Sequence, residues 1–573
     1  MHTTFFSRMR FHLWGLLIGF LIGTVITLPA IVFHFSPRYG GIDMMKTNTE
    51  AHYITQIKEV MDGHYTLGNP FYADLKDSPY LFPPLSPLLI GLVGKLFSLD
   101  INTIVSVARF FCTGATAFFI YLFVTVLTKR RLVGIITAPA VMLGYGLLDP
   151  HSIMSLFVHG VPTPSSTFID YGRPINPQVS SLFFFAYLFF LQTFFKENKV
   201  IHGIIASVLF GLSFYVYLFT WTFILILNGT LGLVYITKKE WSTVKKLIYI
   251  SLGGLALGIP YFLNVHQASL SPWYDESAAR FGFVNVRFLT ISRIVIGAII
   301  LFGLVYKWCT KEIRIFFVAF FLAALISVNE QLVTGKYLFN HHYHWYYITP
   351  LIIIFILVAL FTVMKKLNFH RKFQLGIAIL FIVITVSNGI LAQVYSYYTA
   401  LPEVTELQEY APVVAWLNAE TEKDSSVLAS GVFSDLVPAI THNNIYFPNT
   451  GLYTLISNER LLNVYLVYTY LEGVPKNEIR TYLESKRNDI SGFVFGYTYS
   501  FIPGVCYGCF PDSIIDNLVK IYEGLDEKNF ISFVKQYPVD YIVWDTHTNP
   551  KWNIDRFKFP LVKQFGAIKM YKL

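Results

Sequence analysis

The chain has 573 residues, of which 54% are hydrophobic and 14% are charged, and its mean hydropathy is +0.51. A soluble core could not absorb so much apolar surface, so the composition excludes a soluble globular protein and predicts a polytopic α-helical membrane protein. The net charge of +9 does not indicate a nucleic-acid partner, because the basic residues occur in short clusters between apolar segments.

Apolar segments predict about eleven membrane crossings in chain order. The first, at about residues 11–33, follows Arg8 and Arg10. It is longer than the apolar region of a secretory signal peptide, so we interpret it as a retained anchor. The others are expected at about 102–127, 132–148, 178–195, 200–216, 218–237, 247–265, 290–306, 314–328, 346–364 and 373–395.

A long outside loop, residues 35–101, is predicted between the first two crossings. Its apolar run at 83–97 contains Lys95 and is too short to span a bilayer, so we predict an interfacial or re-entrant helix there. Eighteen lysines and arginines then fall in inside segments, against four in the short outside loops 149–177, 266–289 and 329–345. The positive-inside rule therefore places the N-terminus in the cytoplasm and the C-terminus outside.

Residues 1–395 are thus predicted to be the transmembrane domain, and residues 396–573 one soluble, extracytoplasmic α/β domain. In the second part, SVLAS and DYIVWD are expected strands and NVYLVYTYL a core helix. The segment SDLVPAITHNNIYFPNT is compatible with acceptor recognition or with packing. Cys506 and Cys509 predict a disulfide, because a single CxxC pair supplies only two of the four ligands of a structural zinc.

The first outside loop contains the charged stretch TNTEAHYITQIKEVMDGHY, residues 47–65. Apolar residues at helical spacing predict a helix from Thr49 to Asp62 that lies at the membrane interface. Glu50 falls in its first turn, where the helix dipole stabilises a carboxylate. Glu50 is therefore either a catalytic acid or simply an N-terminal helix charge, and Glu59 and Asp62 form a solvated face in the second case. Asp43 competes with Glu50 for any carboxylate role.

The second outside loop ends in STFIDYGRPINPQVSS, which presents a group of polar residues before a crossing begins. Arg173 has the fork geometry that binds phosphate, but an ion pair with Asp170 that only shapes the loop is equally compatible with the sequence. Asn176 and Gln178 are the further candidates for binding a phosphate or a sugar.

The third outside loop, in the segment NEQLVTGKYLFNHHYHWYYITP, concentrates basic and aromatic residues at the membrane boundary. His341 and His344 have a spacing that permits metal chelation, but no acidic residue is adjacent in sequence, so no metal site is predicted. Hydrogen bonding of Lys336, His341, His342 and His344 to an anionic or sugar ligand is better supported. Interfacial packing is the alternative.

Together these loops resemble those of the GT-C superfamily of polyprenyl-phosphate-sugar-dependent glycosyltransferases, of the mannosyltransferase and aminoarabinose-transferase kind. In the first loop an acid in TNTEAHY precedes an amphipathic helix ending near MDGHY and a PPL interfacial helix. YGRPINPQ and TGKYLFNHHYH are also similar to loops of bacterial and archaeal members. The resemblance covers about residues 1–395, and a soluble domain after the last crossing is common in such enzymes.

The family's catalytic acid corresponds to Glu50, although Thr49 stands where many members have an Asp, so Asp43 remains an alternative base. The resemblance implies inverting transfer of a sugar from a polyprenyl-phosphate donor to an acceptor hydroxyl. It further implies that Arg173, Lys336 and the histidines of the third loop bind the donor. No cofactor is implied with certainty, and a divalent cation lacks support in the sequence.

The expected partners are membrane lipid, the lipid-linked sugar and a glycan, lipid or protein acceptor, in a prokaryotic cytoplasmic membrane. Two other functions stay open. A transporter or flippase of a lipid-linked glycan fits less well, because its functional charges should lie at the bilayer midplane instead of at one face. A glycan polymerase or ligase would use a lipid-diphosphate donor.

Overall fold

A computed structural model describes residues 2–44, 48–148, 168–448, 451–502 and 504–573. Most of the second outside loop, 149–167, lies outside these described residues. The helices up to residue 280 are α1 His2–His34, α2 Asn48–Asp62, α3 Leu85–Leu96, α4 Ile101–Thr128, α5 Arg131–Met142, α6 Tyr145–Leu148, α7 Gln178–Glu197, α8 Val200–Ser213, α9 Leu218–Thr237, α10 Trp241–Leu257, α11 Ile259–Ser269 and α12 Tyr274–Arg280.

The later helices complete the membrane part and build most of the C-terminal part. They are α13 Arg293–Val305, α14 Lys311–Ser327, α15 Gln331–Thr334, α16 His341–Tyr343, α17 Thr349–Lys366, α18 Arg371–Leu407, α19 Ala411–Glu420, α20 Gly431–Ile440, α21 Asn458–Leu471, α22 Ile479–Ser485, α23 Arg487–Ile490, α24 Asp512–Glu523 and α25 Glu527–Val534. A π-helical turn, His344–Ile348, joins α16 to α17 without a break in the helical path.

Each predicted crossing coincides with a helix or a helix pair, but not all of these are long enough to span alone. Six segments of the described chain are sufficiently long and apolar: His12–His34, α4, α7, α9, His341–Lys366 and Arg371–Glu420. The pair α10 and α11 makes a seventh if its 47° bend lies within one span. Helices α5, α8, α13 and α14 are shorter. The fold is therefore that of an integral membrane protein, and the number of eleven crossings stays a prediction.

Close helix packing in the membrane part begins with α1 and α4. Gly15, Gly19 and Gly23 recur every fourth residue of α1 and face α4. A Cβ atom added to Gly19 would lie 2.6 Å from the carbonyl oxygen of Gly114 on α4, and one on Gly23 would lie 2.6 Å from that of Phe110. Small residues at this spacing let two membrane helices approach backbone to backbone.

The C-terminal part contains one five-stranded sheet. Its strands are β1 Ser426–Leu428, β2 Asn444–Ile445, β3 Tyr541–Asp545, β4 Leu561–Phe565 and β5 Ile568–Lys572. The spatial order is β2-β1-β3-β5-β4, with β1 parallel to β2 and β3 and the remaining pairs antiparallel. The expected strands at SVLAS and DYIVWD are β1 and β3, and the expected core helix is α21. Cys506 and Cys509 are joined by a disulfide.

The predicted boundary at residue 395 falls inside α18, which continues to Leu407. The first outside loop and the C-terminal part, which lie on opposite sides of this boundary in sequence, share one hydrophobic core. It includes Ile54, Ile57, Val437 and Leu461. The backbone N–H of Ile445 at the edge strand also donates to the carbonyl oxygen of Phe71 at 3.0 Å. The two predicted domains are thus continuous in both helix and core.

Helix α2 lies where it was predicted, but its apolar stripe does not face lipid. Ile57 and Val60 are fully buried, and the stripe packs on α3 and α20. Because both flanking helices supply apolar surface, the stripe is buried against protein, and a position of α2 at the membrane interface stays a prediction.

Candidate functional site

Glu50 in the first turn of α2 is 1% exposed and forms an ion pair with Arg109 of α4. The Arg109 Nη2 group donates to Glu50 Oε1 at 2.8 Å, and its Nε donates to the carbonyl oxygen of Gly172 at 2.8 Å. A buried carboxylate without a partner is costly, and Arg109 supplies the compensating charge. Glu50 is therefore not merely a solvated charge at a helix end.

Asp43 lies on the segment between α1 and α2 and is 8% exposed. Its Oδ2 accepts from Ser106 of α4 at 3.4 Å, while Oδ1 is buried without a hydrogen-bond partner among the described residues. Burial raises the pKa of Asp43, the charge of Arg109 lowers it, and the charge of Glu50 raises it further. Asp43, Arg109 and Glu50 are thus electrostatically coupled.

A small cavity of about 20 Å³ lies beside this group of charges. Glu50 and Arg109 supply its polar wall, and the end of α1, Met44 and Gly172 close it on other sides. Gln393 of α18 lines it as well and is held by hydrogen bonds to the Ile26 carbonyl oxygen and the Ile169 N–H. Five segments of the chain therefore converge on one polar point at one end of the predicted membrane helices.

Arg173 begins a second polar cluster, which continues directly from Gly172. Its Nε donates to the Asn176 carbonyl oxygen at 2.7 Å, and its Nη2 donates to the Tyr346 hydroxyl at 2.5 Å. Its guanidinium also lies 5.6 Å from the ring centre of Tyr53 on α2. A hydrogen bond of 2.6 Å joins Tyr217 to His342 Nδ1 nearby. The structure thus brings the predicted residues Arg173 and His342 into one tyrosine-rich cluster beside α2.

Two amides flank this cluster. Asn176 is 1% exposed, and its Oδ1 accepts from Ser180 at 2.6 Å, whereas its Nδ2 has no hydrogen-bond partner among the described residues. Both polar atoms of Gln178, also 1% exposed, lack a hydrogen-bond partner in the same part of the chain. Buried amides with unused hydrogen-bonding capacity are uncommon in folded proteins and mark ligand-binding positions as candidates.

The other predicted binding residues lie differently. Asp170 is exposed in a 3₁₀ turn before Arg173. Lys336 is exposed, and its backbone forms an isolated bridge with Asn285. The ring of His341 contacts those of Phe339 and Trp345, and His344 is half-buried in the π-helical turn. The described contacts of Lys336 and His341 do not include Arg173 or the carboxylates.

Glu59 is buried, so the predicted solvated face of α2 is wrong at this residue. It is 8% exposed, accepts from Lys76 Nζ at 2.6 Å, and has its pKa raised to about 7 by burial, which Lys76 counters. Lys76 lies 3.4 Å from Asp424 of the C-terminal part, which also contacts His64 at 3.0 Å. This side of α2 is therefore covered because it docks against the C-terminal part.

No group of three or more His, Cys, Asp or Glu residues arranged to hold a metal ion occurs within the described ranges. Glu50 is paired with Arg109 instead, and the charge of Arg109 also acts on Asp43. Arg109 therefore supplies the positive charge that balances the buried Glu50 carboxylate.

Arg109 and Gln393 were missed in reading the sequence. A usable signal existed for Arg109, because it is the one charged residue in the predicted crossing 102–127. A charge within a membrane segment is a functional candidate by default. Gln393 had no comparable signal, since its role depends on where α18 crosses α1.

The apolar helices, the buried charges at one end of them and the C-terminal sheet define an integral membrane protein. The crystal structure of the oligosaccharyltransferase of Archaeoglobus fulgidus in the apo form is similar, with a TM-score of 0.50 and 13% sequence identity. The similarity covers 94% of this chain and 70% of that one. No protein-family model and no curated protein matches the sequence. At this identity the likeness establishes the fold alone.

Proposed function

We propose that this protein is a membrane glycosyltransferase that moves a sugar from a polyprenyl-phosphate donor to an acceptor hydroxyl at the extracytoplasmic face. The observation that carries the proposal is the Asp43–Arg109–Glu50 group beside a cavity, in a fold similar to that of an oligosaccharyltransferase. Glycan, lipid and protein are the candidate acceptors.

Asp43 is proposed as the general base. A base needs a lone pair that is not already used and a pKa near the working pH, and carboxylates placed in different environments divide such roles. Glu50 is held by Arg109, whereas Asp43 has a raised pKa and a buried Oδ1 that accepts no hydrogen bond from the described residues. Glu50 is then the residue that lines the cavity and keeps Arg109 in position.

In the proposed step, the acceptor oxygen attacks the anomeric carbon from the face opposite the lipid phosphate. The new carbon–oxygen bond forms while the bond to the phosphate oxygen breaks, and the hydroxyl proton passes to the Asp43 carboxylate. Arg173 and the amides of Asn176 and Gln178 are proposed to bind the departing phosphate or the sugar, because they offer charged and unused donors on the segment that follows Gly172 of the cavity wall. Inversion follows from the single displacement.

Activity is tested with purified protein in nanodiscs, a synthetic polyprenyl-phosphate sugar and candidate acceptors. We expect Asp43→Asn to lower turnover by about 10²–10⁴, the usual contribution of a general base. Asp62→Asn, at the far end of the helix that carries Glu50 and paired with Lys58 at 2.5 Å, is the control and should retain activity. Full activity of both Asp43→Asn and Glu50→Gln would contradict the assignment of the acids.

The two alternative functions have separate readouts in the same preparation. Transfer from a polyprenyl-diphosphate donor, with none from the monophosphate, would indicate a polymerase or ligase type of reaction. Uptake of a lipid-linked glycan into vesicles without any product would indicate a transporter and would overturn the proposal.

A further inference from the structure

A pocket of about 290 Å³ lies in the C-terminal part, outside the site described above. It is formed where the parallel strands end: Ser430 and Gly431 follow β1, Phe447 follows β2, and Asn549 follows β3. The chain leaves β1 toward β2 on one side, and β3 lies on the other side. Ligands of open α/β sheets bind at such a switch point, beyond the carboxyl ends of the strands.

The start of α20 is shaped to leave this space open. Gly431 has φ +60°, a left-handed conformation that a side chain would strain, and the Ser434 hydroxyl donates to its carbonyl oxygen at 2.7 Å. Asn549 donates to the Ser430 hydroxyl at 2.5 Å, which connects the end of β3 to the end of β1. Both loops are therefore fixed before any ligand binds.

Aromatic rings form one wall of the pocket. Phe447 stacks on Phe493 with ring centres 4.0 Å apart, and Tyr468 stacks on Trp552 at 5.9 Å. Tyr465 meets Phe493 edge to face at 5.3 Å. Phe447 and Trp552 are buried, whereas Tyr465 and Phe493 are only half-buried and so keep accessible ring surface.

Polar groups form the rim. The Tyr482 hydroxyl donates to Glu472 Oε2 at 2.7 Å, and Lys486 donates to Asp489 Oδ2 at 2.8 Å. Each carboxylate thus has one oxygen positioned by the protein and a second that can accept a hydrogen bond from a ligand. Two carboxylates against one ammonium group give the rim a negative balance.

We infer that this pocket binds a sugar residue of a neutral or amino-substituted glycan. A pyranose has an apolar face of C–H groups, which packs on aromatic rings, and a rim of hydroxyl groups, which donate to carboxylates. The cavity is at the small end of ligand pockets and suits a mono- or disaccharide. Uronic acids are disfavoured by the negative rim. Unlike the carboxylate site, this pocket needs no donor lipid, so the inference does not depend on the proposed transfer reaction.

The test is direct binding to full-length protein in nanodiscs without a lipid-linked donor. Neutral, amino and uronic mono- and disaccharides are titrated by saturation-transfer NMR and by the fluorescence of Trp552, with Trp552→Phe to assign the signal. We expect saturable binding of neutral or amino sugars and weaker binding of uronic acids. Tyr465→Ala should weaken the binding about tenfold, the loss expected for one aromatic contact.

Tyr470→Ala is the matched control, because Tyr470 lies on the same helix, is half-buried, and stacks on Phe530 outside the pocket. It should bind sugar as the wild type does. If Tyr465→Ala does not fold, Glu472→Gln at the exposed rim serves instead and should also weaken binding. The inference would be overturned if no sugar bound saturably, or if uronic acids bound best. It would also be overturned if the variant and the control lost equal sugar affinity, or if only unglycosylated peptides bound.

Discussion

Arg109 is the residue on which the candidate site depends most. It neutralises Glu50, lowers the pKa of Asp43 and holds the Gly172 carbonyl that precedes Arg173. Removing one partner of a buried ion pair leaves the other charge uncompensated, which costs far more than the pair contributes. Stability and the geometry of the candidate site are therefore coupled at this residue.

The Glu50–Arg109 pair should show strong coupling in a double-mutant cycle. We expect Glu50→Gln to lower the free energy of unfolding by about 3–5 kcal/mol, because Arg109 remains buried and charged. The double variant Glu50→Gln/Arg109→Met should lose less free energy of unfolding than the two single variants lose together. The expected difference is about 1–3 kcal/mol. Unfolding in mixed micelles measures all four proteins.

The control cycle uses Lys129 and Glu312, an exposed pair with a comparable distance of 3.0 Å. Its coupling should be about 0–1 kcal/mol, as for other surface pairs. Equal coupling in the two cycles would mean that Glu50 and Arg109 are not held in a buried pair.

Glu59 gives a prediction about pH. Its pKa is raised from 4.5 to about 7 by burial, while Lys76 opposes this effect and Asp62 and Asp424 add to it. Between these values the folded state binds more protons than the unfolded state, so the contribution of Glu59 to stability falls as pH rises. Between pH 4.5 and pH 7, the free energy of unfolding of Glu59→Gln should therefore rise relative to that of wild type, by roughly 3 kcal/mol at most.

The comparison is made as a difference between variant and wild type because His52 titrates in the same range. Burial lowers the pKa of His52 to about 3, so its contribution to stability rises with pH. Thermal unfolding at several pH values supplies the difference. Asp516→Asn removes a largely exposed acid and should follow the wild-type curve; a Glu59→Gln curve parallel to wild type would show that Glu59 is not buried as described.

At the scale of elements, α1 and α4 position the carboxylate site. The end of α1 lines the cavity, α4 carries Arg109 and Ser106, and the glycines between the two helices set their distance. The site geometry therefore depends on a helix contact with almost no free space.

Gly19→Ala tests this contact. The new Cβ would lie 2.6 Å from the Gly114 carbonyl oxygen, so we expect a loss of about 1–3 kcal/mol in the free energy of unfolding and a parallel loss of activity. Gly232→Ala on α9 has nothing within 4 Å and gains helix propensity, so it should be neutral or stabilising. An equal effect of the two substitutions on unfolding would contradict close packing at Gly19.

At the scale of the whole molecule, the C-terminal part completes the first outside loop. Shared core packing, the Lys76–Asp424 contact and the Arg460–Asp74 pair at 2.7 Å hold the two together. The buried Arg280 of α12 also donates to the carbonyl oxygens of Leu452 and Ile456. Two outside loops therefore use the C-terminal part as their support.

Truncation should expose this dependence. A protein ending after residue 395 loses the packing partners of Ile54 and Ile57, so we expect rapid proteolysis within residues 35–101 and loss of activity. A second truncation after Leu407 preserves α18 and separates the effect of cutting that helix from loss of the core. If the longer fragment keeps a protected first loop, the C-terminal part is an independent domain.

The sequence by itself determined the membrane class, the position of every predicted crossing on a helix, the helix that presents Glu50, and the strands at 426–428 and 541–545. These depend on local signals: apolar length, helical spacing and β-rich runs. It also indicated Glu50, Asp43 and Arg173 as candidate site residues, because polar residues beside membrane segments are unusual.

Only the tertiary structure decided which partners these residues have. Glu50 is paired with Arg109 across 59 positions, and Asp424 lies 360 positions from His64. The tertiary structure also decided that the α2 surface faces protein instead of lipid or water. It likewise assembled the pocket from the ends of three strands. Side-chain periodicity shows that a face will be buried but carries no information about what covers it, because that is set by packing between segments distant in the chain.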